Sequence, residues 1–285
     1  MTRLLLMILL LAPIAARAAD LKLATWNLEW LTERPAGSRA LPDDVSPKRA
    51  EDIARLATYA AALDADVVAM EEVDGPQIAA RVFPPDRYAL HFTKDRVVQR
   101  VGIAVRSTIP FTANPDLVAL DVYDDGAPQR LRSGADITLT LPGGLLRILA
   151  IHLKTGCNRD RLSSPRPACS VLNRQISALQ GWIAQRAREG VPFVIMGDFN
   201  RRMDGNDQLL RALSTAAPLA RATEGRNSPC WGGEPFIDHI LAGGAARAWM
   251  QPDSLRVLVY RERDAAWKER LSDHCPVSVR FRLPD

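Results

Sequence analysis

Val191-Pro192-Phe193-Val194-Ile195-Met196-Gly197-Asp198-Phe199-Asn200 runs from an apolar segment straight into a carboxylate and an amide. A short, continuously apolar run that stops at glycine reads as a buried strand feeding a loop. The same ending recurs along the chain. Asn27 follows the apolar run 21–26, and Glu71-Glu72 follow Val67-Val68-Ala69-Met70. His152 sits near the end of the run 146–153. Asp238-His239 lie within 236–241, and Ser272-Asp273-His274 precede Pro276-Val277. Any one of these is explained as a polar residue capping a strand. Six in series are not, because carboxylates gathered at strand ends repel one another and lose hydration unless something compensates. A hard divalent cation is the simplest compensation, since it takes carboxylate and amide oxygens.

The segments between these endings predict strands and helices mixed in one domain over residues 20–285, with two packed sheets and helices outside. Strands are expected at 21–26, 66–70, 101–105, 137–141, 146–153, 191–196, 237–241 and 277–281. Ser46-Pro47 predicts a helix start, with Ser as cap and Pro at the first helical position. Behind it Ile53, Leu56, Ala60 and Leu63 recur at helical spacing. Ser170 is expected to cap a second helix with the stripe Leu172, Ile176, Leu179 and Ile183, ending before Gly190.

Residues 1–19 read as a secretory signal. Arg3 gives the positive start, 4–16 form the apolar stretch, and Ala16-Arg17-Ala18 offers a small-x-small cleavage site. The apolar stretch is shorter than the roughly 18 residues a membrane span needs, so no stable membrane insertion is expected, and the mature protein is expected to be secreted or periplasmic. The 285 residues carry 37 Lys and Arg against 33 Asp and Glu, a net charge of +4. Loss of Arg3 and Arg17 lowers that from +4 to +2, a balance that permits an anionic partner without requiring one. Export also changes the reading of Cys157, Cys169, Cys230 and Cys275. Four cysteines in an oxidising compartment suggest two disulfides. Cys157 with Cys169 brackets a short polar loop, which leaves Cys230 with Cys275.

The motif series Trp26-Asn27-Leu28-Glu29, Glu71-Glu72-Val73, Ile151-His152-Leu153, Gly197-Asp198-Phe199-Asn200, Ile237-Asp238-His239-Ile240 and Ser272-Asp273-His274-Cys275-Pro276-Val277 resembles, in order, that of the endonuclease/exonuclease/phosphatase superfamily. The resemblance implies an α+β fold: a four-layer αββα sandwich of two packed mixed sheets flanked by helices, with the site at one end of the sheets. It implies Glu72 as principal metal ligand, with Asn27 and Asp273 in or near the coordination shell and Glu29 holding a metal-associated water. Asp198 and Asn200 would orient water and phosphate, and His152 would donate to a phosphate oxygen. His274, held by Asp238, would act as base or as phosphate-polarising group. The implied cofactor is Mg²⁺, with Mn²⁺ or Ca²⁺ as substitutes.

Glu71 and His239 each adjoin a motif residue, and alternation along a strand predicts that they face away from the site. Trp26 and Trp182 are expected in the core. The expected activity is hydrolysis of nucleic-acid phosphodiester bonds. The alternative is a phospholipid, sphingomyelinase-like, or small phosphoester substrate for the same chemistry. Phosphate-facing cations are sought among Arg100, Arg106, Lys154, Arg159, Arg161, Arg261, Arg263, Lys268 and Arg270. No protein partner is legible.

Overall fold

The computed structural model describes residues 20–124, 126–127 and 130–284. The expected signal segment, 1–19, lies outside them. Two six-stranded mixed sheets carry the fold. The first contains β1 (Asp20–Leu31), β2 (Val67–Val73), β3 (Tyr88–Phe92), β4 (Arg100–Arg106), β13 (Met250–Val257) and β14 (Val277–Arg282), in the order β13-β14-β1-β2-β4-β3. The second contains β5 (Phe111–Ala113), β6 (Ala135–Leu141), β7 (Gly144–His152), β8 (Phe193–Asp198), β9 (Leu219–Arg221) and β12 (Asp238–Gly243), in the order β5-β6-β7-β8-β12-β9. A small ladder pairs β10 (Asn227–Ser228) with β11 (Glu234–Pro235). The pairs β1–β2 and β7–β8 are parallel.

The helices are α1 (Ala50–Leu63), α2 (Pro76–Ala79), α3 (Pro167–Glu189), α4 (Gln208–Ser214), α5 (Ala246–Trp249) and α6 (Ala266–Arg270). The stripe Ile53, Leu56, Ala60 and Leu63 of α1 covers the outer face of the first sheet through Ala24, Trp26, Val68 and Met70. The stripe Leu172, Ile176, Leu179 and Ile183 of α3 covers the second sheet through Leu149, Ile151, Phe193 and Ile195. Between the sheets lie Leu21, Leu23, Val67, Ala69, Ile148, Ala150, Val194, Met196, Ile240 and Val279. This is the expected four-layer αββα arrangement. Both central strand pairs are apolar on both faces, because each is covered on both sides.

Two helix starts differ from expectation. α1 begins at Ala50, with Arg49 as cap, and Ser46-Pro47 stay outside it. The Asp52 carboxylate accepts from the Arg49 amide at 3.2 Å, fixing the start there. Lys48 turns inward and donates to the Glu269 carbonyl at 3.0 Å, which ties the chain just before the helix to the C-terminal end of α6. α3 begins at Pro167, so Ser170 lies inside its first turn. Proline at the first helical position needs no amide partner, and it displaces the start upstream.

Both expected disulfides are present, with Cα separations of 5.0 Å for Cys157–Cys169 and 5.7 Å for Cys230–Cys275. The first closes the loop between β7 and α3. That loop is also held by Arg201, which donates to the Cys157 and Asp160 carbonyls at 2.7 Å each. Replacing both Cys157 and Cys169 by alanine is expected to cost about 3 kcal/mol by the chain-entropy estimate. Hydrogen exchange should then quicken in residues 155–166 while β7 and β8 stay protected. Loss of protection throughout β7 and β8 would show that the bridge holds the core, not the loop.

Candidate active site

Period-two alternation delivers most of the site. On β8, Val194 and Met196 face the inter-sheet core, and Asp198 is next in that row. His152 follows Ile148 and Ala150 on β7 in the same way, and Asp238 precedes Ile240 and Ala242 on β12. The register then sets His152 beside Asp198 and Asp198 beside Asp238. In the opposite sheet Asn27 continues the row Leu21, Leu23, Thr25. The two sheets meet where Asn27 Nδ2 donates to Asp198 Oδ2 at 3.1 Å. Gly197 is required at this point. Its φ is +149°, and a Cβ there would lie 1.9 Å from the Ile151 carbonyl oxygen of β7.

Glu72 breaks the alternation. Contrary to expectation, its neighbour Glu71 does not face away from the site: it takes the inward position in the row of Val67 and Ala69, fully buried, with Thr25 Oγ1 donating to it at 3.2 Å. Glu72 would face α1 but for a φ of +61°, which turns it to the strand end. The β2–β4 register shifts between Met70 and Val73, and β1–β2 shifts between Asn27 and Leu31. Glu29, Trp30 and Asn200 also have positive φ, at 41°, 51° and 50°. Left-handed backbone at non-glycine residues costs free energy and clusters where side chains must be re-aimed.

All the expected positions meet. Asn27 Nδ2 donates to Glu72 Oε1 at 3.2 Å, and its Oδ1 accepts from the Glu29 amide at 2.9 Å. In this geometry Asn27 offers the carboxylates its N–H₂ group. His152 Nε2 lies 3.7 Å from Glu72 and 3.5 Å from Asp198. Asn200 Nδ2 donates to Asp198 Oδ2 at 3.1 Å, and the Asn200 amide donates to Oδ1 at 2.7 Å. His274 Nδ1 lies 2.8 Å from Asp238 Oδ2. Its Nε2 lies 3.9 Å from Asp198 and 3.7 Å from Asp273. The Asp273 amide donates to Glu29 Oε2 at 3.0 Å. His239 faces the other way, as alternation requires, and is buried between Thr223 and the Arg201 carbonyl. Trp26 and Trp182 are core residues whose ring N–H groups donate to Tyr260 and Asp136, both at 2.8 Å.

Further residues brace the site, and of these Tyr260, Trp231 and Lys48 had no sequence signal of their own. Ser272 ties the last motif to the first: its hydroxyl donates to the Asn27 carbonyl at 2.7 Å and accepts from the His274 amide at 2.9 Å. Tyr260 donates to the His274 carbonyl at 2.8 Å. The Cys230–Cys275 bridge and a 3.0 Å bond from Trp231 Nε1 to the Ser272 carbonyl brace the same loop. Lys48 approaches Glu29 and Asp273. Arg132 lies within electrostatic reach of Glu72 and Asp198; its Nη2 donates to the Leu153 carbonyl at 3.5 Å, and its Nε is buried and unpartnered. It lies in irregular chain, where no periodicity marks it. Of the cations sought from sequence, Arg100, Arg106 and Arg270 are instead tied to Asp74, Asp64 with Asp66, and Asp52 with Glu51. Arg159, Arg263 and Lys268 line cavities around the site.

The electrostatics divide the groups. Burial works against a charge on His274, but Asp238 and then Asp198 outweigh it and hold its pKa well above the ordinary 6.5. Burial, with Arg132 adding, pushes His152 well below 6.5, so it is neutral. Burial raises Asp198 to about 7, with Asp238 adding and His274 opposing. Burial and the charge of Asp273 raise Glu29 to about 7. Burial also holds Glu71 well above its ordinary range.

Two groups of side chains are tight enough for a metal ion among the described residues. Cys157, Asp160 and Cys169 are excluded, because the thiols are spent in a disulfide. Asp198, Asp238 and His274 are better described as an imidazolium between two carboxylates, since Asp238 stabilises the proton on His274. The looser set of Glu72, Glu29 and Asp273 suits a hard cation better. These are oxygen donors with residual exposure, and a positive charge relieves the repulsion that raises Glu29.

Between about pH 6.5 and pH 8 the folded, metal-free chain holds more protons than the unfolded chain, on Asp198, Glu29, Glu71 and His274. Its stability should therefore fall as pH rises through that window. Below about pH 6.5 the unfolded chain gains protons that buried His152 and His239 refuse, which flattens the dependence. Melting curves in chelator should show this fall, and saturating Mg²⁺ should reduce it. A melting temperature that climbs from pH 6.5 to pH 8 in chelator would contradict the proton assignments.

The fold recurs in solved structures. The 3′-5′ exonuclease NExo from Neisseria meningitidis superposes with a TM-score of 0.60 at 19% identity, over 92% of this chain and 99% of that one. The human Nocturnin catalytic domain gives 0.59 at 16%, over 94% and 96%. D. rerio TDP2, complexed with single-strand DNA product, gives 0.58 at 16%, over 92% and 99%. No curated protein matches the chain in sequence. Residues 24–274 match the profile of the Endonuclease/Exonuclease/phosphatase family, a span that contains Asn27, Glu72, His152, Asp198, Asn200, Asp238, Asp273 and His274. By that match the chain belongs to the endonuclease/exonuclease/phosphatase family and is a phosphoric ester hydrolase.

Proposed function

We propose that the chain is an exported, divalent-metal-dependent nuclease that hydrolyses phosphodiester bonds of nucleic acid with an activated water. The observation that carries this reading is the convergence on Asp198 Oδ2. Asn27 and Asn200 donate to it at 3.1 Å, and His152 and His274 stand 3.5 and 3.9 Å away. With a pKa of about 7, Asp198 is matched to take a proton from water near neutral pH. Asn200 is fixed beside it by the Leu153 carbonyl at 3.2 Å and can position that water. His274 keeps its proton because Asp238 backs it. Of its two expected roles, polarising a phosphoryl oxygen therefore fits better than acting as base. Neutral His152 offers a further N–H. Glu72, with Glu29 and Asp273, would hold Mg²⁺, for which Mn²⁺ or Ca²⁺ share the oxygen preference. When bound, the ion supplies charge relief on the phosphoryl oxygens.

Nucleic acid is favoured as substrate by the cations around the cleft. Arg132 lies within electrostatic reach of the site, and Lys268 and Arg202 line the roughly 270 Å³ cavity that contains His274 and Asp273. The next cavity is lined by Arg159, Arg166 and Arg202; Arg166 is paired with Asp160 and Arg202 with Glu234, which leaves Arg159 and Lys268 without a carboxylate partner among the described residues. A row of such charges follows a phosphate backbone. D. rerio TDP2, of the same fold, holds single-strand DNA product. A lipid substrate finds little support: among the described residues the exposed large apolar side chains are Val118 and Leu145. Export rests on the signal-like residues 1–19.

Purified protein should degrade plasmid in Mg²⁺ and stop in chelator. Asn200→Ala and His274→Ala should each lower the rate by about 10²–10⁴. Release of phosphocholine or orthophosphate from small esters, with DNA and RNA left intact, would overturn the nuclease reading.

A further inference from the structure

Behind the catalytic cleft, across a wall formed by Pro235 and Phe236, lies a second cavity of about 220 Å³. Arg221, at the end of edge strand β9, lines it and is only 7% exposed. Its Nε is buried without a partner. Among the described residues no carboxylate comes within 4.0 Å of its guanidinium and no hydrogen bond satisfies it. The neighbouring acids do not supply the deficit. Asp207 is taken by Arg201 at 2.8 Å and caps α4. Asp204 and Glu224 are exposed to solvent. Thr223 and His239 are spent on each other at 2.6 Å, and His239 Nε2 is spent on the Arg201 carbonyl at 2.9 Å. Arg226 stands exposed at the edge of the same cavity, with only fully exposed Asp253 beside it, and Asn227 adds an amide. A buried cation without a counter-charge is costly, and a guanidinium fork matches the oxygens of a tetrahedral anion.

We propose that this cavity is an oxyanion site, separate from the catalytic centre, that seats a phosphoryl group in the fork of Arg221 with Arg226 at its mouth. The phosphoryl group comes either from the nucleic-acid strand, at a position away from the cleaved bond, or from free phosphate. Only the first source depends on the nuclease reading.

Inorganic phosphate titrated calorimetrically into the full chain, in chelator and at fixed ionic strength, tests the site without any reaction. Binding should weaken about tenfold or more in Arg221→Gln and measurably in Arg226→Gln, while surviving in His274→Ala. Arg226 is exposed, so its variant decides the matter if Arg221→Gln does not fold. Phosphate affinity equal to wild type in the folded variants, or no phosphate binding by wild type, would overturn the proposal. The source follows from kinetics. A strand phosphate predicts that Arg221→Gln raises KM for a short oligonucleotide and lowers the salt slope by about one. The minimal ester bis(p-nitrophenyl) phosphate should be unaffected. A free-phosphate site predicts unchanged kinetics for both substrates.

Discussion

Asp198 is a carboxylate with almost no access to water, and one of its oxygens is shared by two amides while two imidazoles stand close by. Burying that charge is costly unless it is neutralised or surrounded by donors. The rest of the site can be derived from that requirement. Asn27 reaches across from the opposite sheet, so the bond that satisfies Asp198 also ties the two sheets together. Asn200 can curl back only because its own backbone is left-handed. His274 supplies positive charge, and Asp238 keeps the proton on it. The carboxylates left over, Glu72, Glu29 and Asp273, then crowd a half-open mouth with Lys48 as the neighbouring cation.

Strain is concentrated at the same place. Glu29, Trp30, Glu72 and Asn200 account for four of the six non-glycine residues with positive φ among the described residues. Their cost is borne by the surrounding scaffold: three apolar layers, two disulfides and the Ser272 and Tyr260 bonds that pin the final loop. A rigid frame of this kind keeps side chains in position without help from substrate, which is what pre-organised phosphoryl chemistry needs.

Much of this was legible in the sequence because alternation is a strict rule. A residue two places beyond a core valine shares its face, so Asp198, His152 and Asp238 could be placed from Val194, Ala150 and Ile240. The central strands announced themselves by apolar runs. The four edge strands, β3, β5, β9 and β13, did not, since an edge has one neighbour and tolerates polar residues such as Asp253 and Arg221. The start of α1 was misplaced because Ser46-Pro47 satisfies local capping chemistry, while the burial of Lys48 is a tertiary demand. Glu72 was placed by resemblance: strict alternation alone would have turned it toward α1, and only the left-handed turn corrects that. Arg132 and Arg221 carry no local pattern. In each the Nε is buried without a partner, a feature that exists only in three dimensions.

The central claim is that one divalent ion gathers at Glu72 while Asp238 and His274 remain an ion pair beside it. Anomalous scattering from crystals of the full chain soaked in Mn²⁺ locates such an ion directly. The account predicts a peak in coordination contact with a Glu72 oxygen, absent in Glu72→Ala. A peak seated instead among Asp198, Asp238 and His274, unchanged in Glu72→Ala, would contradict it.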